Sequence, residues 1–233
     1  MSAHRALLIG NSDGIGRGLT DHLILGGWAV TGLSRSALNE AEVAGGQGDY
    51  RHYVCDVLDP DYKQTLTQTW SERGPFDLVV HLVGVGYGLQ RDDFSREAET
   101  IRVNFVSMVE TVEVLMPKLL AAGGGHLMGL SSIADEILMA DGPSYGASKA
   151  GYSSYLNSLA LGYKKRGIAV TCVRFGFVDT KMAKGDVRPL MVSVDRAAKV
   201  LMRCVEKRPM QMTYPKVAGG AIRVLRRLQS LRI

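Results

Sequence analysis

Ile9-Gly10-Asn11-Ser12-Asp13-Gly14-Ile15-Gly16 ends a short apolar run and leads directly into a helical pattern over residues 15–26. A strand, a glycine-rich loop and a helix therefore follow one another without interruption. Gly10 permits a tight turn, Gly14 lets backbone N–H groups approach a pyrophosphate, and Gly16 permits close packing of helix on strand. The spacing is Gly-x-x-x-Gly-x-Gly, so it is the strand–loop–helix setting that predicts a dinucleotide site.

The rest of the chain alternates short apolar runs with longer helical patterns, which is typical of a parallel sheet covered on both faces. We expect a single α/β domain, a Rossmann-type doubly wound parallel sheet of about seven strands. Asp59-Pro60 predicts a helix start and Gly123-Gly124-Gly125 a helix stop. The predicted strands are 6–9, 29–33, 52–55, 78–82, 126–130, 169–175 and 211–214, and the predicted helices are 15–26, 60–73, 93–121, 144–166 and 194–206.

The composition is that of a globular protein with one sizeable core, since 46% of the 233 residues are hydrophobic. Cys55, Cys172 and Cys204 are an odd number without metal-ligand spacing, so we expect buried free thiols in a reducing compartment and neither a metal nor a disulfide framework. No apolar stretch approaches the roughly 20 residues that span a bilayer. We therefore expect a soluble, cytoplasmic protein.

Positive charge is concentrated at the end of the chain. Residues 216–233 contain five of the 28 Lys and Arg and none of the 23 Asp and Glu, so residues 1–215 are balanced and do not predict a nucleic-acid-binding surface. We expect 1–215 to form the dinucleotide-binding domain and 216–233 a basic amphipathic tail of the same domain. The preferred interpretation is that the tail helix packs on its own fold or a neighbouring subunit. The alternatives are that it lies on an anionic membrane or docks on a partner.

Ser34-Arg35 ends the second predicted strand, where an NAD site usually places Asp or Glu for the adenosine ribose. A hydroxyl and a guanidinium suit a ribose 2′-phosphate instead, so the pair favours NADP(H), with NAD(H) as the alternative. Arg35 also fits an exposed residue at the start of a loop. The carboxylate of Asp13 argues against NADP(H), because it would lie near the 2′-phosphate unless it points away or caps the helix.

Tyr145 and Lys149 lie four residues apart in a helical pattern, so they share one helix face. A nearby ammonium favours the ionised phenol and lowers a tyrosine pKa from about 10 toward neutrality. The pair is therefore a candidate acid–base device, although the spacing alone also fits an exposed helical pair.

With the glycine loop, Arg35 and the Tyr145/Lys149 pair, the chain resembles the short-chain dehydrogenase/reductase family over almost its full length. Ser132 ends the fifth predicted strand and lies 13 residues before Tyr145, as the family's substrate-orienting serine does. Its neighbour Ser131 is not selected. From its setting alone, Ser132 also fits a hydroxyl that caps a strand end.

The resemblance assigns roles to three further segments. Cys55-Asp56-Val57 looks like the family's adenine-contacting Asp-Val, and Asn104 matches a helix asparagine that holds a water between Lys149 and solvent. Val178-Asp179-Thr180 resembles a segment that contacts the nicotinamide amide. A strand-end cap, a solvated asparagine and a helix N-cap are the respective alternatives for Asp56, Asn104 and Thr180.

Two departures from the family pattern stand out. His81-Leu82-Val83-Gly84 replaces Asn-Asn-Ala-Gly after the fourth strand, losing the amide that ties the strands together and keeping the glycine that admits the cofactor. Phe175 replaces the proline that usually precedes Gly176, so we expect a differently shaped loop on the nicotinamide side.

The resemblance implies an NADP(H)-dependent oxidoreductase that transfers a hydride between nicotinamide and a carbonyl or alcohol carbon. Tyr145 would protonate the developing alkoxide and Ser132 would orient it. Lys149 would lower the tyrosine pKa and bind the nicotinamide ribose, while Asn104 with water would return the proton. The expected catalytic residues are Ser132, Tyr145, Lys149 and Asn104, and the expected cofactor-binding residues are Gly10, Ser12, Asp13, Gly14, Ile15, Gly16, Ser34, Arg35, Asp56, Val57, Val83, Gly84, Tyr145, Lys149, Val178 and Thr180.

Two other functions remain open, a cofactor-binding regulatory or scaffold protein with little turnover and a lyase or epimerase that uses the nucleotide transiently. Segments 85–89, 133–140 and 181–192, together with Tyr152, are candidates for a substrate pocket. They favour a small to medium, apolar ketone or aldehyde, although the methionines in them also fit core packing. These methionines are Met139, Met182 and Met191. The family also suggests a homodimer or homotetramer.

Overall fold

Seven parallel strands form one sheet in the part of the chain that the computed structural model describes, residues 3–46, 48–87, 93–183 and 190–231. The strands are β1 (Arg5–Ile9), β2 (Ala29–Ser34), β3 (Tyr50–Val54), β4 (Leu78–His81), β5 (Gly125–Ser132), β6 (Ile168–Phe175) and β7 (Gln211–Tyr214). Their order is β3-β2-β1-β4-β5-β6-β7. The order reverses between β1 and β4, and such a reversal opens a crevice at the carboxyl edge of a parallel sheet.

Helices cover both faces of this sheet, which confirms the predicted doubly wound fold. The helices are α1 (Gly14–Leu25), α2 (Tyr62–Arg73), α3 (Glu97–Ile101), α4 (Ser107–Ala121), α5 (Pro143–Tyr163), α6 (Val194–Lys207) and α7 (Lys216–Ser230). Alternate strand residues point to opposite faces, so Leu8 packs in the core beneath α1 and α6 while Leu7 packs beneath α2, α4 and α5. Short 3₁₀ helices occupy Glu40–Gly46, Ile133–Glu136 and Lys164–Arg166.

Two predicted helices differ from those observed. α2 begins at Tyr62 rather than residue 60, because Tyr62 N donates to Asp59 O in a turn that precedes the helix. The single helix predicted over 93–121 is divided into α3, a π-helical turn at Arg102–Val106 and α4. The predicted stop after α4 is confirmed, since Gly123 and Gly124 have φ of +87° and +139°.

The three cysteines are free and buried. Within the described helices, none is long and apolar enough to cross a bilayer. No group of three or more His, Cys, Asp or Glu side chains comes together as metal ligands among the residues that the structure describes.

Candidate active site

The glycine loop between β1 and α1 lies at the carboxyl edge of the sheet. Gly10 has φ +88°, a backbone conformation that permits the predicted tight turn, and its N–H continues the ladder between β1 and β2 by donating to Leu33 O over 2.7 Å. A Cβ on Gly16 would lie 2.3 Å from Gly10 O, so only glycine allows this approach of helix to strand. Gly14 has φ +52°, and a Cβ there would lie 3.2 Å from Thr180 Cγ2.

Asp13 caps α1, which answers the objection that its carboxylate raised. Its Oδ1 accepts from Gly14 N over 2.7 Å, and its Oδ2 lies 2.7 Å from Lys181 Nζ. The hydrogen bond from Lys181, followed by that from Gly14, lowers the pKa of this carboxyl. Its charge is therefore compensated by a lysine that follows β6. Ser12 and Ile15, also predicted to line the cofactor, are half-buried in the same loop.

The two cofactor-binding residues predicted at the end of β2, Ser34 and Arg35, have different surroundings. Ser34 is buried, and its hydroxyl donates to Ser36 O over 2.9 Å and lies 3.2 Å from His52 Nε2. Arg35 is exposed. Ser34 therefore shapes the turn, while the guanidinium of Arg35 is the group available to a ligand.

Asp56 follows β3 and closes a local turn. One carboxylate oxygen accepts from Leu58 N over 3.0 Å, while Asp56 N donates to Asp59 Oδ2 over 3.0 Å. Val57 is buried beside it. The strand-end cap that the sequence allowed is thus present, and the two residues lie at the same edge of the sheet as Arg35.

The crevice at the reversal of strand order lies between the loops that leave β1 and β4. A Cβ on Gly10 would lie 3.0 Å from Val83 N, so the two loops touch there. On the other side of Val83, a Cβ on Gly84 would lie 3.5 Å from both Asn104 Oδ1 and Lys149 Nζ. The absence of a side chain at Gly84 therefore leaves room directly beside the lysine.

Asn104 lies in the π-helical turn and is fully buried. Its Oδ1 accepts from Val85 N over 2.7 Å, and its Nδ2 donates to Val85 O over 2.9 Å and to Ser148 Oγ over 3.0 Å. The amide thus holds the loop after β4 against α5. A π-turn re-aims one side chain within a helix, and such turns occur frequently at functional sites.

Ser131 and Ser132 end β5 with different surroundings. Ser131 is buried and its hydroxyl donates to Lys149 O over 3.2 Å. Ser132 is half-exposed, and its Oγ accepts from Ala134 N over 3.1 Å. Burial raises the pKa of the Tyr145 phenol, and the nearby Ser132 side chain opposes this rise. Ser132 is thus the serine whose side chain is near Tyr145, while the Ser131 hydroxyl is engaged by the backbone of Lys149.

Tyr145 and Lys149 lie on consecutive turns of α5, with Nζ 6.0 Å from the centre of the phenol ring. Nζ is buried and donates to Leu130 O over 3.0 Å, and burial lowers the pKa of Lys149 to about 8. Burial raises the pKa of Tyr145, and Ser132 only partly offsets this effect. The pKa of Tyr145 is therefore raised and not lowered as expected from the sequence, because burial is the largest effect on the phenol.

Val178 and Thr180 lie in the segment after β6. Val178 is buried and forms a parallel bridge with Val192, while Thr180 Oγ1 donates to Val178 O over 3.4 Å. Thr180 occupies a turn in which Ala183 N donates to its carbonyl over 2.9 Å. Residues 184–189 of the predicted pocket, like 88 and 89, lie outside the described residues.

Met182 forms an apolar wall next to Tyr145. A Cβ on Gly86 would lie 3.5 Å from Met182 Cγ and 3.8 Å from Tyr145 Cε2. Met182 and Met191 are partly exposed, at 47% and 45%. These two methionines are therefore surface residues and do not fill the core.

Tyr152 is not a pocket residue, contrary to the prediction, since it is fully buried under the sheet. Its OH lies 3.2 Å from His81 Nδ1, and His81 Nε2 lies 3.0 Å from Ser107 Oγ. His81 thus ties β4 to α4 and α5 in place of the amide missing from its loop. Burial, followed by the charge of Lys149, lowers the pKa of His81 to about 3.

A buried ion cluster behind Ser132 is the feature that the sequence analysis missed. Arg174 Nη2 lies 2.6 Å from both Asp135 Oδ1 and Glu136 Oε1. Ser153 Oγ donates to Asp135 Oδ2 over 2.5 Å. The cluster anchors the 3₁₀ helix that follows Ser132 to β6 and α5. A lone arginine in an otherwise apolar strand was the available signal.

These features fit a nicotinamide dinucleotide. The positive-φ glycines at the crevice, the start of α1, the exposed Arg35 and the open space at Gly84 all lie at the carboxyl edge, where dinucleotides bind in doubly wound sheets. The residues that would hold the group are those of the glycine loop, Arg35, Val83 and Gly84, with Thr180 and Lys149 at the far end.

Several known proteins are similar to this chain in sequence or in fold. The chain is 28% identical over 226 residues to an uncharacterized oxidoreductase of Myxococcus xanthus, covering 92% of this chain and 88% of that protein. It is 28% identical over 185 residues to the 3-oxoacyl-(acyl-carrier-protein) reductase FabG of Salmonella typhimurium, covering 77% and 75%. The fold matches that of an actinorhodin polyketide ketoreductase variant, solved with NADPH, with a TM-score of 0.82 at 20% identity over 93% of this chain and 97% of that one.

The sequence profile of the short chain dehydrogenases matches residues 4–189, which include the glycine loop, Ser132, Tyr145 and Lys149. This match extends over most of the chain, and the seven-stranded sheet agrees with it. The chain belongs to the short-chain dehydrogenase family of oxidoreductases.

Proposed function

We propose that the protein reduces an apolar ketone or aldehyde, or oxidises the corresponding alcohol, with NADP(H). Ser132, Tyr145 and Lys149 would be the catalytic residues. When bound, the nicotinamide supplies or accepts the hydride. The observation that carries the proposal is the convergence of Ser132, the Tyr145 phenol and the buried Lys149 ammonium beside the open space at Gly84.

Each residue has a distinct task in this proposal. Because burial raises the pKa of Tyr145, the phenol is protonated at neutral pH and suits a proton donor to the substrate oxygen. The Ser132 hydroxyl would donate a hydrogen bond to the same oxygen and fix its position. Lys149, with a pKa of about 8, retains much of its charge at neutral pH and would stabilise the tyrosinate that remains.

The preference for an apolar substrate rests on the wall next to Tyr145. Met182 lies beside both Gly84 and Gly86, so its thioether is the apolar side chain nearest the space next to Tyr145. Methionine adapts to irregular apolar shapes, so this wall accommodates more than one carbon skeleton. The names of the two relatives with 28% identity, both oxidoreductases, support the reaction class.

The exposed guanidinium of Arg35 supports the preference for NADP(H). Arginine pairs with phosphate through two parallel hydrogen bonds, whereas a ribose hydroxyl prefers a carboxylate at this position. The capping of α1 by Asp13 and its pairing with Lys181 remove the main electrostatic objection to a phosphate here.

Substitution of Tyr145 by Phe tests the proposal. Removal of a general acid costs about 10²- to 10⁴-fold, so Tyr145→Phe is expected to lower kcat by at least about 100-fold with NADPH and a panel of apolar ketones and aldehydes. Fluorescence titration should show NADPH binding close to that of the wild type. Tyr163→Phe, which removes a hydroxyl from the last turn of the same helix, is the matched control. Turnover by Tyr145→Phe at the wild-type rate would overturn the assignment.

A further inference from the structure

α7 presents an apolar face that its own fold does not cover. One side of the helix packs on the protein: Ala218 is buried, and the Gln229 amide forms hydrogen bonds of 3.0 and 2.9 Å with the backbone of Leu138. Val217, Leu228 and Leu231 are 73%, 54% and 82% exposed. Because a helix repeats every 3.6 residues, these three positions fall on one stripe that is distinct from the packed side.

The exposed face is wider than the stripe alone. Leu225 is 42% exposed and Leu138, which follows the 3₁₀ helix Ile133–Glu136, is 63% exposed. Leu138 lies beside α7, because its backbone is hydrogen bonded to Gln229 on the packed side of the helix. Exposed apolar residues scattered singly need no explanation, whereas three of them on one stripe of a helix indicate an interaction surface.

Cations accompany this surface. Lys216 and Arg226 are exposed on α7, and residues 216–233 contain five Lys and Arg with no Asp or Glu. The remaining chain carries equal numbers of the two signs, so the whole net charge of +5 resides in this segment. Pairing with a second α7 would bring two such cationic segments together, and their repulsion opposes that arrangement. An anionic surface is the complementary occupant.

We propose that α7 docks the protein on an anionic phospholipid surface. Val217, Leu228 and Leu231 would enter the boundary between headgroups and acyl chains, while Lys216, about a quarter of a turn from this stripe, would lie at the level of the lipid phosphates. Arg226 lies on the opposite side of the helix and adds only to the overall positive charge. A helix with an apolar stripe, flanking cations and modest overall hydrophobicity is the type that lies in a membrane interface. Both contributions are needed, since a few exposed leucines or a few cations alone bind weakly and reversibly.

Docking in this manner brings lipid close to the carboxyl edge of the sheet. α7 follows β7 directly and packs on the 3₁₀ helix that begins after Ser132. A Cβ on Gly176, after β6, would lie 3.5 Å from Pro215 and 3.9 Å from Ala218. The docking surface is thus adjacent to the segments that surround the candidate active site.

Co-sedimentation of the full chain with vesicles tests the charge contribution. Wild-type protein is expected to pellet with phosphatidylcholine vesicles that contain phosphatidylserine, and much less with phosphatidylcholine alone. Each cation near an anionic surface contributes about 1 kcal/mol, so Lys216→Ala should weaken binding by about fivefold. Lys164→Ala/Lys165→Ala removes two exposed cations from the loop before β6, at the opposite edge of the sheet, and should bind like the wild type.

A second pair of variants tests the apolar contribution. Leu228→Ser should reduce pelleting at least several-fold at constant charge, whereas Leu161→Ser, at a leucine 73% exposed on α5, should not. All four variants should retain the wild-type melting temperature, because the substituted side chains are exposed. Equal pelleting with neutral and anionic vesicles, or equal losses in the matched controls, would overturn the proposal. A change of oligomeric state in the α7 variants without a change in pelleting would assign the face to a second copy instead.

Discussion

Arg35 and Ser34 are adjacent in sequence and yet differ in what they offer a ligand. The Ser34 hydroxyl is engaged by Ser36 O, and the guanidinium of Arg35 faces solvent at the end of β2. Recognition of a 2′-phosphate at this position therefore depends on one side chain. A charge-assisted hydrogen bond is worth roughly 1.5–3 kcal/mol, which corresponds to about 10- to 100-fold in affinity.

Arg35→Ser is expected to weaken NADPH binding by about 10- to 100-fold and to change NADH binding by less than about threefold. Fluorescence titration with each nucleotide measures both constants. Arg51→Ser, at an exposed arginine on the neighbouring strand β3, is the control for loss of a nearby cation. A parallel loss of NADH affinity would show that Arg35 does not discriminate between the two cofactors.

The residue scale also shows where sequence reasoning succeeds and fails. The spacing of Tyr145 and Lys149 correctly predicts that both lie on one face of α5. It cannot predict the direction of the tyrosine pKa, which depends on how deeply the remaining fold buries the phenol. Tyr152 lies on the same helix face, about one turn after Lys149. At this position the face is packed against the sheet, so Tyr152 is fully buried.

Within a single helical element, a regular hydrophobic period does not reveal a local π-helical turn. The pattern over 93–121 predicts one helix, and the structure inserts a π-turn at Arg102–Val106. The π-turn places the Asn104 amide where it forms hydrogen bonds with both the N–H and the C=O of Val85, which lies 19 residues earlier in the chain. A tertiary hydrogen bond of this kind has no signature in local periodicity.

The contact between β1 and α1 gives a prediction for this pair of elements. In Gly16→Ala the new Cβ would lie 2.3 Å from Gly10 O and 2.8 Å from Asn11 Cα, both backbone atoms that cannot move freely. Overpacking of this kind costs about 1–3 kcal/mol, and a loss of at least about 2 kcal/mol in the free energy of unfolding is expected by denaturant titration.

The matched control is Gly162→Ala near the end of α5. No atom lies within 4 Å of a Cβ placed there, so alanine should leave stability unchanged or raise it by up to about 1 kcal/mol. If both variants lost the same stability, the close approach of Gly16 to Gly10 would not be the cause of the loss.

For the whole molecule, the sequence predicts all seven strands and their alternation with helices, because strands buried on both faces are continuously apolar. Element boundaries shift by one to four residues where turns decide them, as at the starts of α2 and α3. The ion cluster of Arg174 with Asp135 and Glu136 was not predicted, since it joins segments about 40 residues apart that only the folded sheet brings together.

The buried histidines predict how stability depends on pH. The folded pKa of His81 is about 3, against about 6.5 when unfolded, so between these values the unfolded chain binds a proton that the folded chain excludes. The free energy of unfolding should therefore be highest above pH 6.5 and fall toward pH 3, by up to about 1.4 kcal/mol per pH unit for this group. His126, with a pKa of about 4, acts in the same direction.

His81→Asn is expected to flatten this slope by about 1.4 kcal/mol per pH unit between about pH 4 and 6. Its stability at neutral pH should be lower, because contacts to Tyr152 and Ser107 are altered. Urea titrations across this range measure both quantities. His4→Asn, at a histidine with an exposed side chain, is the control. An unchanged slope in His81→Asn would show that His81 is not the group responsible.

The three buried thiols have a consequence for the integrity of the protein. Burial raises the pKa of Cys55, Cys172 and Cys204, the last two to about 11. Thiolates rather than thiols react with oxidants and alkylating reagents, so we expect these cysteines to be unreactive in the native state. They belong to the end of β3, to β6 and to α6, and each becomes reactive only when its own layer separates from the sheet. The order in which the three cysteines become reactive toward an alkylating reagent therefore reports which part of the protein unfolds first.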